Sequence, residues 1–133
     1  MRVLTALSEA TSSAACADVF SSFGWEVDST TEPSMAESIL TFRRYDAVVT
    51  DLQFDNWLCM AGLDVVRAAK RNGRTPIVAV LSTVLSESVL CEARAAGADC
   101  VLLKPQSLHD IAARLSASAG LQAARPAMQA DRE

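Results

Sequence analysis

The sequence predicts an α/β domain, a doubly wound sheet of five parallel strands with helices on both faces, and three observations carry that prediction. Short aliphatic or β-branched runs alternate with Ala-rich amphipathic stretches along most of the chain. Glycines follow the helical stretches where a left-handed residue would end them. The run Asp46-Ala47-Val48-Val49-Thr50-Asp51 is apolar on both faces in its middle, as a central parallel strand covered on both sides must be.

In order, Arg2–Leu7 reads as the first strand, followed by a helix over Ser12–Phe23 that Gly24 terminates. Trp25–Ser29 is the second strand, and Pro33 stands where it can open a helix over Ser34–Arg44. Asp46–Asp51 is the third strand, with a helix over Gly62–Asn72 that ends at Gly73. Pro76–Ser82 is the fourth, and Ser86 caps a helix running to Ala96 and stopped by Gly97. Asp99–Leu103 is the fifth, after which Ser107 caps a helix to Ala119. Repeated right-handed crossovers between parallel strands place helices on both sheet faces. The segment Leu121–Glu133, rich in Ala, Gln and Arg, is weakly patterned, so residues 1–119 are expected to form the domain and 120–133 a tail or the start of a linker.

A chain of 133 residues suits one domain, which at this size buries about two-thirds of its unfolded surface. It is 50% hydrophobic but only 5% aromatic, so the core is built mainly from Ala, Val and Leu. A net charge of -4 without a like-charged run lacks the basic footprint of a nucleic-acid binder. No apolar run approaches membrane-spanning length, and no apolar signal region ends in a cleavage site. Cys16, Cys59, Cys91 and Cys100 are scattered without a CxxC pair, and His109 is the only histidine, so zinc and disulfide readings fail. Free buried thiols are expected, with Cys59 set apart in a loop, and with them a reducing cytoplasm. Neither GxxxxGK[ST] nor GxGxxG is present, His109 stands at no catalytic or ligand spacing, and no cofactor or enzymatic constellation is expected.

Ligands of an open α/β sheet bind beyond the carboxyl ends of its strands. Those ends offer Leu7, Ser8 and Glu9, then Asp51, then Leu81, Ser82 and Thr83, then Lys104-Pro105. Over about residues 2–118 the chain resembles the response-regulator receiver family, on two motifs. Tyr45-Asp46-Ala47-Val48-Val49-Thr50-Asp51-Leu52 is similar to the strand that ends in the family's phosphorylated aspartate. Gly97-Ala98-Asp99-Cys100-Val101-Leu102-Leu103-Lys104-Pro105 is similar to the strand that ends in its phosphoryl-contacting lysine, usually followed by a cis peptide bond. The resemblance implies a flavodoxin-like (βα)5 sheet in the order 2-1-3-4-5, with Asp51 at the phospho-acceptor position.

It also exposes departures. The family's chemistry uses an aspartate nucleophile, a divalent metal held by carboxylates, a hydroxyl and a lysine. Counting back from Asp51, the acidic pair of the family falls on Leu7 and Ser8, and Glu9 lies one residue late. Asp51, Glu9 and the Gln53 backbone carbonyl are then the metal ligands left, a sparse set for magnesium. The switch hydroxyl falls on Leu81, with Ser82 next, and its aromatic partner falls on Val101. Asp51 is instead expected to pair with Lys104, whose ammonium would stabilise the carboxylate in place of a metal. A hydroxyl cluster at Ser82, Thr83 and Ser86 is read as caps rather than an anion site.

Between Asp51 and Gly62 the connection is longer than the family's and carries the apolar run Trp57-Leu58-Cys59-Met60. It either folds over the pocket or presents Trp57, Leu58 and Met60 to a partner. The expected function is an atypical receiver, an interaction or dimerisation module working through the fifth strand and last two helices and controlling a DNA-binding or enzymatic output domain. A working phospho-receiver taking phosphate from a histidine kinase, with magnesium on Asp51 and Glu9 and Ser82 and Lys104 on the phosphoryl group, is the alternative. A flavodoxin-like binder of a small molecule such as a flavin or corrinoid is the remote one.

Overall fold

The computed structural model describes residues 1–54, 60–71, 75, 77–104 and 107–118. Along them run β1 (Arg2–Ala6), α1 (Ala10–Ser21), β2 (Glu26–Thr30), α2 (Pro33–Phe42), β3 (Ala47–Asp51), α3 (Gly62–Lys70), β4 (Ile77–Ser82), α4 (Glu87–Ala96) and β5 (Cys100–Leu103). A closing helix, α5, occupies 108–118. All four strand pairings are parallel, in the order β2-β1-β3-β4-β5. Helix α1 starts two residues before the expected Ser12, because Glu9 takes the cap position without a side-chain cap bond. Gly73, Pro76 and the tail expected over 120–133 lie outside the described residues.

Alternation along the strands sorts the core into two layers. Leu4, Ala6, Val48, Val78 and Val80 face Leu40 of α2, Val66 of α3 and Ala93 of α4. Val3, Ala47, Val49, Ile77 and Ala79 face Cys16 and Phe20 of α1 and Ile111 and Leu115 of α5. Every residue of β3 and β4 is buried, as strands covered on both faces require. Each buried Val, Leu or Ile contributes about 1.5–3 kcal/mol, so the small aliphatic composition suffices for a core.

Two aspartates set the strand register in the same way. The Asp46 backbone N–H donates to the Arg2 carbonyl at 2.8 Å while its carboxylate accepts from the Arg2 N–H at 2.8 Å. Asp99 repeats this on Val78, at 2.8 and 2.7 Å, and also meets the Lys70 ammonium at 2.8 Å. Gly97, just before Asp99, ends α4 in the left-handed region at φ 118°, where a side chain would be strained and would press on Lys70. Ser86 and Ser107 cap as expected, accepting from the Val89 and Asp110 N–H groups at 3.3 Å each.

At the edge of the α2 layer, Tyr45 is buried and donates its hydroxyl to Asp28 Oδ2 at 2.6 Å. Burial first, and then this carboxylate, push the phenol up to about 12. The folded chain thus holds that proton more tightly than the unfolded one. The resulting stability is complete below the ordinary tyrosine value of 10 and is lost as pH rises through about 12. Because Tyr45 is the single tyrosine, ultraviolet titration reads it alone. The midpoint is expected near 12 in the wild type and lower in Asp28→Asn; an ordinary midpoint in the wild type would rule out the bonded phenol.

Candidate functional site

The crossovers leaving β1 and β3 run to opposite sides of the sheet, which opens a crevice beyond their carboxyl ends. Asp51 closes β3 at this point and is 2% exposed. The backbone that carries it is held on two sides. Leu52 N–H donates to the Leu81 carbonyl at 2.8 Å, and Gly62 N–H to the Leu52 carbonyl at 2.9 Å. Gly62 is required for this approach, since a Cβ would collide with the Asp51 carbonyl oxygen.

The carboxylate is engaged on both oxygens. Oδ2 accepts from the Ser8 backbone N–H at 2.7 Å and the Ser8 hydroxyl at 2.9 Å. Oδ1 lies 2.7 Å from the Lys104 ammonium, a contact that is electrostatic, since Oδ1 is buried and no donor among the described residues meets it in hydrogen-bonding geometry. Lys104 is set in place by its own N–H, which donates to the Ser82 carbonyl at 2.7 Å. The Asp51–Lys104 pair read from the sequence is therefore present, and Ser8, expected only as an altered position, is the second partner.

Around this pair lies a cleft of about 220 Å³ lined by Leu7, Glu9, Ser12, Asp51, Leu81, Lys104, Leu108 and Ile111. A wider hollow of about 460 Å³ lies at the opposite end of the sheet, on Met1, Arg2, Gly24, Glu26, Arg44 and Asp46. There the Arg2 guanidinium is paired with Glu26 and its backbone N–H with Asp46.

The magnesium that the resemblance implies does not fit these residues as placed. Leu7 lines the cleft where a carboxylate would be needed. Glu9 accepts from the Ser12 hydroxyl at 3.3 Å. Among the described residues no group of three or more His, Cys, Asp or Glu is arranged to hold a metal ion, whereas a hard dication needs several convergent oxygens.

The switch positions follow the sequence reading in part. Leu81 lines the cleft, and Val101 packs partly buried against the α2–α3–α4 layer. Ser82, assigned to a phosphoryl group in the alternative reading, turns its hydroxyl into its own loop instead. It donates to the Val84 carbonyl at 2.6 Å and accepts from the Val84 N–H at 3.1 Å. Ser86 likewise caps α4, so these two hydroxyls support local backbone, while Thr83 donates to Gln53 Oε1 at 3.3 Å. Trp57, Leu58, Cys59 and the Lys104-Pro105 peptide bond lie outside the described residues. Met60, at the end of that loop, is partly buried against the core.

Cys16 is buried under the site, and burial first, then the Asp51 charge, push its thiol up to about 12. It is an inert neutral thiol at physiological pH. Cys91 corrects the expectation of buried thiols: it is exposed, because the buried face of α4 is taken by Val89 and Ala93. His109 lies on the surface of α5, its ring 6.3 Å from that of Phe23. Ser12, Leu108 and Ile111 were not foreseen in the site; the three-residue spacing of Leu108 and Ile111 on α5 was their signal.

Comparison with known proteins agrees with this fold. Residues 8–116 match the family model of the response regulator receiver domain. The transcriptional regulatory protein QseB of Escherichia coli O157:H7 is 35% identical over 99 residues, covering 73% of this chain and 43% of that protein. The chain thus spans less than half the length of this curated relative. The receiver domain of the Francisella response regulator 1452 superposes with a TM-score of 0.78 at 19% identity, covering 91% of this chain and 98% of that one. The receiver domain of the sensor histidine kinase PA1611 of Pseudomonas aeruginosa PAO1, solved with a magnesium ion in its active-site cleft, superposes with a TM-score of 0.74 at 20% identity, covering 90% and 97%.

Removing Lys104 would strand a buried charge. Lys104→Met is expected to destabilise the chain by about 2–3 kcal/mol in urea unfolding, below the ~3–5 kcal/mol of a fully buried pair because the ammonium is a third exposed. Asp51→Asn added to it should restore most of that loss. Losses that simply add would show that the two are not coupled.

Proposed function

This chain belongs to the response-regulator receiver family, and on that premise we propose that it is an atypical receiver of two-component signalling whose output does not depend on conventional phosphorylation of Asp51. Receivers are signalling modules, and this one would act by protein interaction or self-association. The single observation that supports the reading is the state of Asp51. Its oxygens are committed to Ser8 and Lys104, so the carboxylate is charge-balanced without a metal. An attacking aspartate must release these donors, and a divalent ion to steady the incoming phosphoryl group lacks its carboxylates. A phosphoryl group on Asp51 would also lack a readout, because Leu81 and Val101 carry neither hydroxyl nor ring and the Ser82 hydroxyl is engaged by Val84.

The surface assigned to partners is that of α4, β5 and α5. Val84 and Leu85 before α4 and Leu103 at the end of β5 are 43%, 45% and 42% exposed, apolar side chains on this face; Met35 and Phe42 of α2 and Phe23 after α1 are exposed elsewhere. A second copy of the chain, a histidine kinase, or an output region of the kind implied by the greater length of the QseB relative are the partners this surface would take. A cytoplasmic setting is part of the proposal; among the described residues no helix is long and apolar enough to cross a membrane.

A phosphodonor test separates this reading from a working phospho-receiver. With acetyl phosphate and magnesium, intact mass should show no stoichiometric adduct, and the sedimentation profile should not change. An adduct lost in Asp51→Asn, accompanied by a change of oligomeric state, would establish the phospho-receiver instead.

A further inference from the structure

We propose that the cleft beside Asp51 is a binding site for a small neutral molecule with an aliphatic body and one hydrogen-bond-accepting oxygen, the chemistry of a ketone or lactone. Its walls are Leu7 after β1, Leu81 of β4, and Leu108 and Ile111 of α5, four aliphatic side chains from three separate parts of the chain. Leu7 and Leu81 stand where the receiver resemblance calls for an acid and a hydroxyl, so the departures at the metal and switch positions also make the cleft apolar.

Its size suits a ligand. At about 220 Å³ it exceeds the ~150 Å³ engineered cavity that holds benzene, which leaves room for roughly eight to ten heavy atoms. Charge then selects the class. Asp51 and Lys104 neutralise each other, and Glu9, engaged by Ser12, is exposed at the rim. An ionic ligand would lose water against four aliphatic walls, whereas a neutral one avoids most of that cost. A donor for its oxygen is at hand. Lys104 carries three N–H groups, its ammonium lies beside Asp51 Oδ1, and the side chain is a third exposed where it borders the cleft.

Occupancy would bear on output through α5. Leu108 and Ile111 would touch the ligand, and α5 belongs to the proposed partner surface, so a bound molecule would change how that helix seats on the sheet. Only this regulatory role rests on the phosphorylation-independent reading; binding itself does not.

The test is a titration of the ¹⁵N-labelled full chain with 2-butanone, 2-hexanone and 2-octanone, with hexanoate and hexylamine as charged counterparts. Saturable amide shifts are expected at Leu7, Lys104, Leu108 and Ile111, with affinity rising roughly fourfold per methylene until the cleft is filled. Leu81→Phe should abolish saturation. Asp51→Asn/Lys104→Met should weaken all three ketones by a common factor while keeping the chain-length trend. Absence of saturable shifts, unchanged binding in a folded Leu81→Phe, or tighter binding of either ion than of 2-hexanone would overturn the proposal. Ketone binding together with stoichiometric acetyl phosphate labelling would refute the functional reading and leave the site standing; no ketone binding and no labelling would do the reverse.

Discussion

A carboxylate held at the end of a fully buried strand has to be balanced, and the arrangement of this sheet edge follows from how Asp51 is balanced. A receiver with an acidic pair can place a dication there. Here one positive charge, Lys104, and two hydrogen bonds from a single residue, Ser8, meet the carboxylate. The ammonium supplies a counter-charge beside one oxygen, and the Ser8 N–H and hydroxyl supply directed donors to the other.

The surroundings of this pair are mainly apolar: Leu7 and Leu81 line the cleft beside it, and the Ser82 hydroxyl folds back onto Val84. Cys16 beneath the carboxylate stays protonated, which adds no second negative charge to the layer. Gly62 keeps the backbone of α3 against that of Asp51, so the aspartate has little freedom to move away from its partners. These features are consistent with one another: each makes sense beside a carboxylate that is held rather than exposed for reaction.

Much of this was legible in the sequence. Alternating aliphatic residues exposed both sheet faces, and Gly97, Ser86 and Pro33 marked helix ends through backbone requirements that few residues meet. Asp51 and Lys104 could be paired because both stand at strand ends on one edge of the sheet. What escaped depends on geometry that spacing does not encode. The double donation by Ser8 uses a backbone N–H whose direction is set by the turn from β1 into α1. Leu108 and Ile111 join the cleft only because α5 packs across the ends of β1 and β4. Cys91 was misjudged because cysteine is usually buried, while the face it occupies on α4 was already decided by Val89 and Ala93.

The central claim is that Asp51 is occupied by its own neighbours, and beryllofluoride with magnesium, a mimic of the phosphoryl group, addresses it most directly. Backbone NMR spectra of the wild type and Asp51→Asn should respond alike, with no shift at Ser8, Ser82 or Lys104 that depends on the carboxylate. Shifts at those residues in the wild type that vanish in Asp51→Asn would show that the carboxylate leaves Ser8 and Lys104 for a phosphoryl group, and would contradict the claim.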